Sequence, residues 1–354
     1  MLKRLLGSSE AGLVLIILAL GMVLTLFGGA HADIRTGHQV SNFLNPDTLL
    51  DIATNASFFA IMAVGMTAVI VSGGIDLSIG SIYALCGVSM ALILRVLTAH
   101  QAPPGELVFV AIVVCVGIGL LAGFINGVAI RALDVHPFII TLGTLWVFRG
   151  LAFVISKAES ILLPEPVVNF AKAGLGMSKG LHPVPLIAMV LAAIAGSVFL
   201  TKTAAGRRVF AVGGNLEASR YAGLPINRVL IGVYVLTGLG GGIAAFLGNA
   251  YYGSASCGDA SGYELYVIAS AVVGGASLSG GRGSALGAVL GAVLIQLIQE
   301  SIQILHLDTN YEQIIVGLAI VIAVVLDRVG ARVRARRLLA ARTETSEVQP
   351  NQTG

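Results

Sequence analysis

The chain reads as an all-α, polytopic integral membrane protein of about ten transmembrane helices, with both termini cytoplasmic. Three observations predict this. Of 354 residues, 56% are hydrophobic and only 11% charged, against about 25% charged in a soluble domain, which leaves too little polar surface to meet water. The 45 glycines exceed the usual ~7%, as expected where membrane helices pack closely. Apolar stretches of about 20 residues, the length that carries a helix across a ~30 Å hydrocarbon layer, recur along the chain.

Residues 1–10 form a cytoplasmic N-terminus and 11–327 a transmembrane domain. The first span, near 11–29, follows Lys3 and Arg4 and precedes Ala30-His31-Ala32, a pattern shared with cleaved signal peptides. Its apolar run of about 18 residues is longer than a signal core, which favours a retained anchor. Further spans are expected near 50–72, 77–98, 107–130, 138–156, 184–201, 229–250, 264–277 (the weakest), 284–304 and 311–327. The tail 328–354 is basic and then polar, with a composition that favours disorder.

Cytoplasmic loops retain Lys and Arg, and this sets the orientation. Of 21 such residues, fifteen fall on the side of the termini: Lys3, Arg4, Arg131, Lys202, Arg207, Arg208, Arg220, Arg228, Arg282, Arg328, Arg332, Arg334, Arg336, Arg337 and Arg342. Five face the other side, and Arg149 lies within a span. The net charge of +3 is too small and dispersed to indicate nucleic acid. Cys86, Cys115 and Cys257 form no CxxC pair, and the six histidines no HExxH, so neither a disulfide scaffold nor a metal site is expected. No Ser/His/Asp or Cys/His set is visible in a loop.

The cytoplasmic loop 202–228 is the most informative stretch. Asn215 is a good N-cap, Leu216 to Ala222 are mostly helix formers, Gly223 suits the left-handed position after a helix, and Pro225 stops continuation. Two turns of helix are unstable alone in water and must dock on something. Two docking surfaces fit: the chain's own bundle, or a soluble partner that moves it.

Glu217, Ala218, Ser219 and Gly223 resemble the EAA loop of ATP-binding-cassette importer permeases, with Ser219 in place of a second alanine. Val64 to Ser81, GFINGVAI from Gly123, HPFIITLGTLWVFRGLA from His136, AVGGNLEASRYAG from Ala211 and YELYVIASAVVGGASLSGGRGS from Tyr263 are similar to the monosaccharide branch of that family, the ribose, xylose, arabinose and galactose type. The resemblance spans roughly 40 to 330. It implies that Asn215, Leu216, Glu217, Ala218, Ser219, Arg220 and Gly223 couple to a separate cytoplasmic ATPase, with Arg282 an additional contact. It also implies a second permease subunit, a periplasmic solute-binding protein, a monosaccharide substrate and a location in the bacterial inner membrane. ATP and Mg would belong to the ATPase, with no cofactor on this chain. The sequence has no Gly-Lys dipeptide, hence no phosphate-binding GxxxxGK[ST] loop of its own.

Asp76 and Ser78, in Gly73-Gly74-Ile75-Asp76-Leu77-Ser78 between the second and third spans, are read as a helix cap or gate on the cytoplasmic side, with direct solute contact the alternative. Glu264 is read as capping the eighth span. Gly274-Gly275-Ala276-Ser277-Leu278-Ser279 echoes the first segment. A neutral polyhydroxyl solute calls for amides, hydroxyls and aromatics within the membrane. The candidates for a translocation path are Asn55, Asn126, Thr141, Thr144, Trp146 and Asn249, with Gln296, Gln299, Glu300 and Gln303 as one stripe that lines the path or joins subunits. Arg149 and Glu300 are a possible neutralising pair. The external loop from Lys157 to Pro183 should hold a surface helix that meets the binding protein or simply faces solvent. Three rivals remain in view: an ion-coupled secondary sugar transporter, a membrane enzyme, and a permease for another small polar solute such as a nucleoside or an autoinducer-like sugar derivative.

Overall fold

The computed structural model describes residues 9–32, 39–174, 183–308, 310, 311, 313–318, 321, 322 and 325. Its helices are α1 Ser9–Phe27, α2 Pro46–Val71, α3 Ile79–Ala99, α4 Pro104–Leu133, α5 Pro137–Ser156, α6 Glu165–Ala171, α7 Pro183–Lys202, α8 Ala204–Gly214, α9 Leu216–Tyr221, α10 Ile226–Tyr252, α11 Tyr263–Val273 and α12 Ala285–Ile304. Short strands pair antiparallel: β1 Ala30–Ala32 with β2 Gln39–Ser41, and β3 Ile161–Leu162 with β4 Ser254–Ala255. The surface helix expected between 157 and 183 is α6. The strand pairs had no counterpart in the expectation, because two- and three-residue strands leave no periodicity to read.

Among the described residues, eight helices are long and apolar enough to cross a membrane: α1 to α5, α7, α10 and α12. The chain is thus a helical, multi-pass membrane protein. The expected eighth span is only the 11 residues of α11, about 16 Å of helix and half a crossing. The expected tenth lies partly outside the described residues, as do Lys3, Arg4 and the tail 328–354.

Helix starts follow local chemistry. Asn45 accepts from Thr48 N at 2.8 Å ahead of Pro46, and Ser284 accepts from Gly287 N at 2.9 Å. Each satisfies an otherwise orphaned first-turn donor. α2 is apolar all round and buried along most of its length, the pattern of a central helix. It packs against α7, α10, α11 and α12. Large apolar side chains on α1, α5 and α7 stay exposed, as a lipid-facing rim requires.

The closest helix pair is α4 with α10. Gly119, Gly123 and Gly127 recur every fourth residue on α4 and face Gly238 and Gly242, Tyr234 and Ile231 in turn. A Cβ at Gly119 or Gly123 would collide with the Gly238 or Tyr234 carbonyl, so only glycine allows this approach. Arg131, one turn further, ends the seam by donating from Nε to Asn227 Oδ1 at 2.8 Å.

Two connections do not stay at the membrane surface. α2 runs antiparallel to α10, with Ile61 beside Gly240 and Gly65 beside Thr237. After Val71 the chain turns and climbs back along the same helix. The Ile75 carbonyl accepts from Tyr234 Oη at 3.3 Å, and Ile79 packs against Gly241. α3 therefore begins near the level of Ile61, about 15 Å above the turn. The segment 253–262 mirrors this from the other side: the Ala260 carbonyl and the Glu264 carboxylate lie directly against Gly80. The first turns of α3 and α11 thus meet inside the bundle. The expectation of a wholly cytoplasmic 73–78 segment is corrected accordingly.

Candidate functional site

The loop 202–228 is an elbow of two helices. α8, absent from the expectation, is capped by Thr203, whose Oγ1 accepts from Gly206 N at 2.9 Å. It buries Val209 and Val212 on its inner face. At its end Gly213 touches the Val71 carbonyl so closely that no Cβ fits, and Gly280 and Gly281 pack on Gly213 and Gly214. Gly281 N donates to Val71 O at 2.8 Å. The elbow is thereby joined to the end of α2 and to the 277–283 turn. Asn215 then caps α9, accepting from Ala218 N at 2.9 Å. Gly223, at φ +70°, closes α9 with bonds from Gly223 N to Arg220 O and Leu224 N to Ser219 O, the Schellman pattern. Ser219 is buried, while Leu216 and Tyr221 stand 43% and 87% exposed. Glu217 and Arg220 form a solvent-exposed pair at 3.7 Å, worth little to stability in water. α9 is thus a six-residue helix held by caps at both ends, with Ser219 turned inward and Leu216 and Tyr221 turned outward.

The second constellation is the interior junction. Asp76, fully buried, accepts through Oδ1 from Ser78 N at 2.9 Å and Ser78 Oγ at 2.6 Å. Asn126 Nδ2 donates to Ser78 Oγ at 2.7 Å, and Thr141 Oγ1 donates to Pro137 O at 3.0 Å and lies 3.3 Å from Ile75 O. Four elements, α4, α5, α10 and the 72–78 segment, converge here. Among the described buried side-chain atoms, Asp76 Oδ2, Asn126 Oδ1 and Glu264 Oε2 have no hydrogen-bond partner. All three are acceptors that lack a donor. Beside the junction, Arg149 donates to the carbonyls of Cys257 and Asp259 at 2.8 and 2.5 Å, holding the 253–262 segment to α5.

Comparison with known proteins gives these constellations a family. The family model described as branched-chain amino acid transport system / permease component matches residues 48–324. The chain belongs to this permease family. The permease is 38% identical to the ribose import permease protein of Bacillus subtilis over 81% of this chain and 86% of that one. It is 34% identical to the D-allose transport system permease protein of Escherichia coli K12, over 81% and 85%. To the autoinducer 2 import system permease protein of Photorhabdus temperata it is 33% identical, over 80% and 83%. No solved structure matches it.

The structure sorts the expected site residues of the permease. Asn215, Leu216, Glu217, Ala218, Ser219, Arg220 and Gly223 form one compact elbow, and the turn carrying Arg282 packs against it. The Arg282 guanidinium bonds Ser277 Oγ at 3.3 Å. Asn126, Thr141, Asp76 and Ser78 come together at the junction. Asp76 does not cap α3: Ser78 occupies the N-cap position without a side-chain cap bond. Gly262 holds the N-cap position of α11, and Glu264 stands in its first turn. Arg149 engages the 257–259 carbonyls and not Glu300. The remaining candidates are scattered. Trp146 is 69% exposed on the outer face of α5. Thr144 bonds only within its helix. Asn55 accepts from Tyr252 Oη at 2.6 Å, and Asn249 donates to Ala245 O and packs on Gly87. Gln296 is buried on α12, while Gln299 and Glu300 are half-buried and Gln303 is exposed.

Two features escaped sequence reasoning. Tyr221, 87% exposed, carried a readable signal as an aromatic on a short capped helix. Between α2, α3, α10 and α11 lies a ring cluster: Phe59 to Tyr263 at 4.6 Å, Tyr83 to Tyr263 at 6.1 Å, and Phe58 to Tyr251 and Tyr252 at 6.0 and 6.1 Å. These residues come from four helices, so no local pattern announces them.

Proposed function

We propose that the chain is the membrane-spanning subunit of an ATP-binding-cassette importer in the bacterial inner membrane. It carries a monosaccharide delivered by a periplasmic binding protein, and pairs with a copy of itself or a close paralogue. The observation that carries this reading is the elbow. α9 presents Leu216 and Tyr221 outward, while α8 is locked onto Val71, where the climbing segment 72–78 begins. A cytoplasmic ATPase, which would hold the ATP and Mg, could push on α9 and shift the interior junction through this rigid route. A sugar suits the interior, where buried acceptors lack donors that hydroxyls supply, and where tyrosine rings of α3, α10 and α11 stand against Phe58 and Phe59 of α2. The relatives, named for ribose and D-allose transport, support the same class.

The test is ATP-dependent sugar uptake in proteoliposomes holding the permease, its ATPase and the binding protein. Tyr221→Cys should crosslink to the ATPase and Glu217→Lys should abolish uptake with the ATPase still active alone. Unchanged uptake in Glu217→Lys would overturn the coupling role. A second reading, ion-coupled transport, draws on one observation: Asp76 is a buried carboxylate on an irregular segment between helices, where such transporters place coupling ions. Uptake driven by a proton or sodium gradient without the ATPase would favour it.

A further inference from the structure

We propose that the cytoplasmic cleft between the end of α4, the elbow and the start of α10 binds the phosphate of an anionic phospholipid headgroup. The cleft has a volume of about 560 Å³ and is lined by Arg131, Arg220, Arg228, Asn227 and residues 224–226. Its charge is only partly answered from within. Arg131 lies 3.4 Å from Asp134, whose side chain is 89% exposed, and Arg220 meets only the exposed Glu217. Among the described residues Arg228 has neither an ion pair nor a side-chain hydrogen bond.

A second feature points the same way. α10, 27 residues long, starts at this cleft with Pro225 in the N-cap position and no side-chain cap. Ile226 N donates to Leu224 O at 2.8 Å; Asn227 and Arg228, the next residues of this first turn, line the cleft, so the positive end of the helix dipole lies at the same space as the three guanidinium groups. Together they make an anion site of the kind phosphate fills.

The depth of the cleft selects the source of that phosphate. Arg131 is the next step of the Gly119-Gly123-Gly127 seam, so the cleft lies where two membrane-crossing helices end. Leu224, Pro225 and Ile226 line it, and Leu133, two residues past Arg131, is 64% exposed, apolar groups suited to acyl chains. Neither Leu216 nor Tyr221 lines the cleft, so a headgroup would occupy it without covering those two side chains. Basic pockets between cytoplasmic helix ends take anionic headgroups in this way. A bound headgroup would tie Arg220 of α9 to the α4–α10 pair. Lipid binding itself does not depend on the coupling role proposed above; only its effect on uptake does.

Native mass spectrometry of the purified permease, titrated with dioleoylphosphatidylglycerol or dioleoylphosphatidylcholine, tests this directly. Wild type should retain phosphatidylglycerol preferentially. Arg131→Gln/Arg228→Gln should weaken that retention by about fivefold per arginine removed, while Arg131→Lys/Arg228→Lys keeps most of it. Equal retention by the double glutamine variant, eluting as a monodisperse species, would overturn the proposal. Arg131 also bonds Asn227, so if the double variant aggregates, Arg228→Gln alone decides by the same comparison. Inorganic phosphate should not displace the lipid. If phosphate alone raises the melting temperature of lipid-free wild type but not of Arg228→Gln, and added lipid does not, the occupant is free phosphate and the lipid assignment fails. Crosslinking of Arg228→Cys to the ATPase with lipid retention unchanged would replace lipid by an acidic protein partner.

Discussion

The elbow and the interior junction are both short, polar interruptions of an apolar chain, yet they solve opposite problems. The elbow faces water, so its backbone groups are satisfied by its own caps, Thr203, Asn215 and Gly223, and its outer side chains remain free for a partner. The junction is enclosed, so its groups rely on residues brought from elsewhere: Ser78 on Asn126 of α4, Ile75 on Tyr234 of α10. Three acceptors still go without a donor. A self-contained element can be moved as a unit, whereas a shared one registers movement of any of its neighbours. Val71 stands between the two: Gly213 rests on its carbonyl, and the segment 72–78 starts directly after it.

The largest expected effect severs that shared point. In Gly213→Val the new side chain meets the Val71 carbonyl, and overpacking of this kind typically costs ~1–3 kcal/mol. Uptake should fall to background, while ATP hydrolysis by the ATPase subunit alone is unaffected. Near-normal uptake would show that elbow and junction work separately. Next comes Tyr221→Ala, which removes an exposed aromatic of the type that dominates interfaces. A loss of about 2 kcal/mol should weaken ATPase binding roughly 30-fold, with the permease's own melting temperature unchanged. A shift in melting temperature without a change in affinity would make Tyr221 a packing residue.

Much of the elbow was legible beforehand because its signals are local. Asn215, Gly223 and Pro225 lie within eleven residues and specify a capped helix by themselves, and the structure adds only where it docks. The helical, membrane-spanning class was equally plain from apolar run length. α8 was missed because 204–214 mixes Gly, Arg and Val, and its buried face becomes apparent only once Gly206 and Gly213 are pressed on neighbouring backbone. The depth of Asp76 was illegible for a different reason. A Gly-Gly-x-Asp-x-Ser turn looks the same at the surface and inside, and only long-range partners, Tyr234 and Gly241, set its level. The echo at 274–279 shows the limit well. Both segments end a helix with a Schellman turn, yet the left-handed glycines are Gly73, the first of its pair, and Gly275, the second. Matching letters therefore do not occupy matching places.

Asp76→Asn probes the junction alone. The amide keeps an oxygen for Ser78 N and Oγ, puts a donor at the orphaned Oδ2 position, and cannot ionise. Stability of the solubilised permease should rise by about 1 kcal/mol, read as a higher melting temperature. A fall would mean that the carboxylate is held by a donor or cation which the amide cannot replace, and would strengthen the ion-coupled reading.

The smallest effect falls on the elbow's own cap. Asn215→Ala removes the acceptor of Ala218 N and should cost α9 about 1 kcal/mol, without touching any residue of the junction. Two turns of helix are marginal in water, and the Gly223 cap alone remains, so α9 should fray when unbound and re-form on the ATPase. Affinity would then fall about fivefold, yet uptake at saturating ATPase should return to near wild type. Asn215→Asp, which can accept the same bond, should bind as wild type does. If Asn215→Ala instead lowered maximal uptake at every ATPase concentration, the cap would be acting on the bundle itself, and the elbow would be as shared an element as the junction.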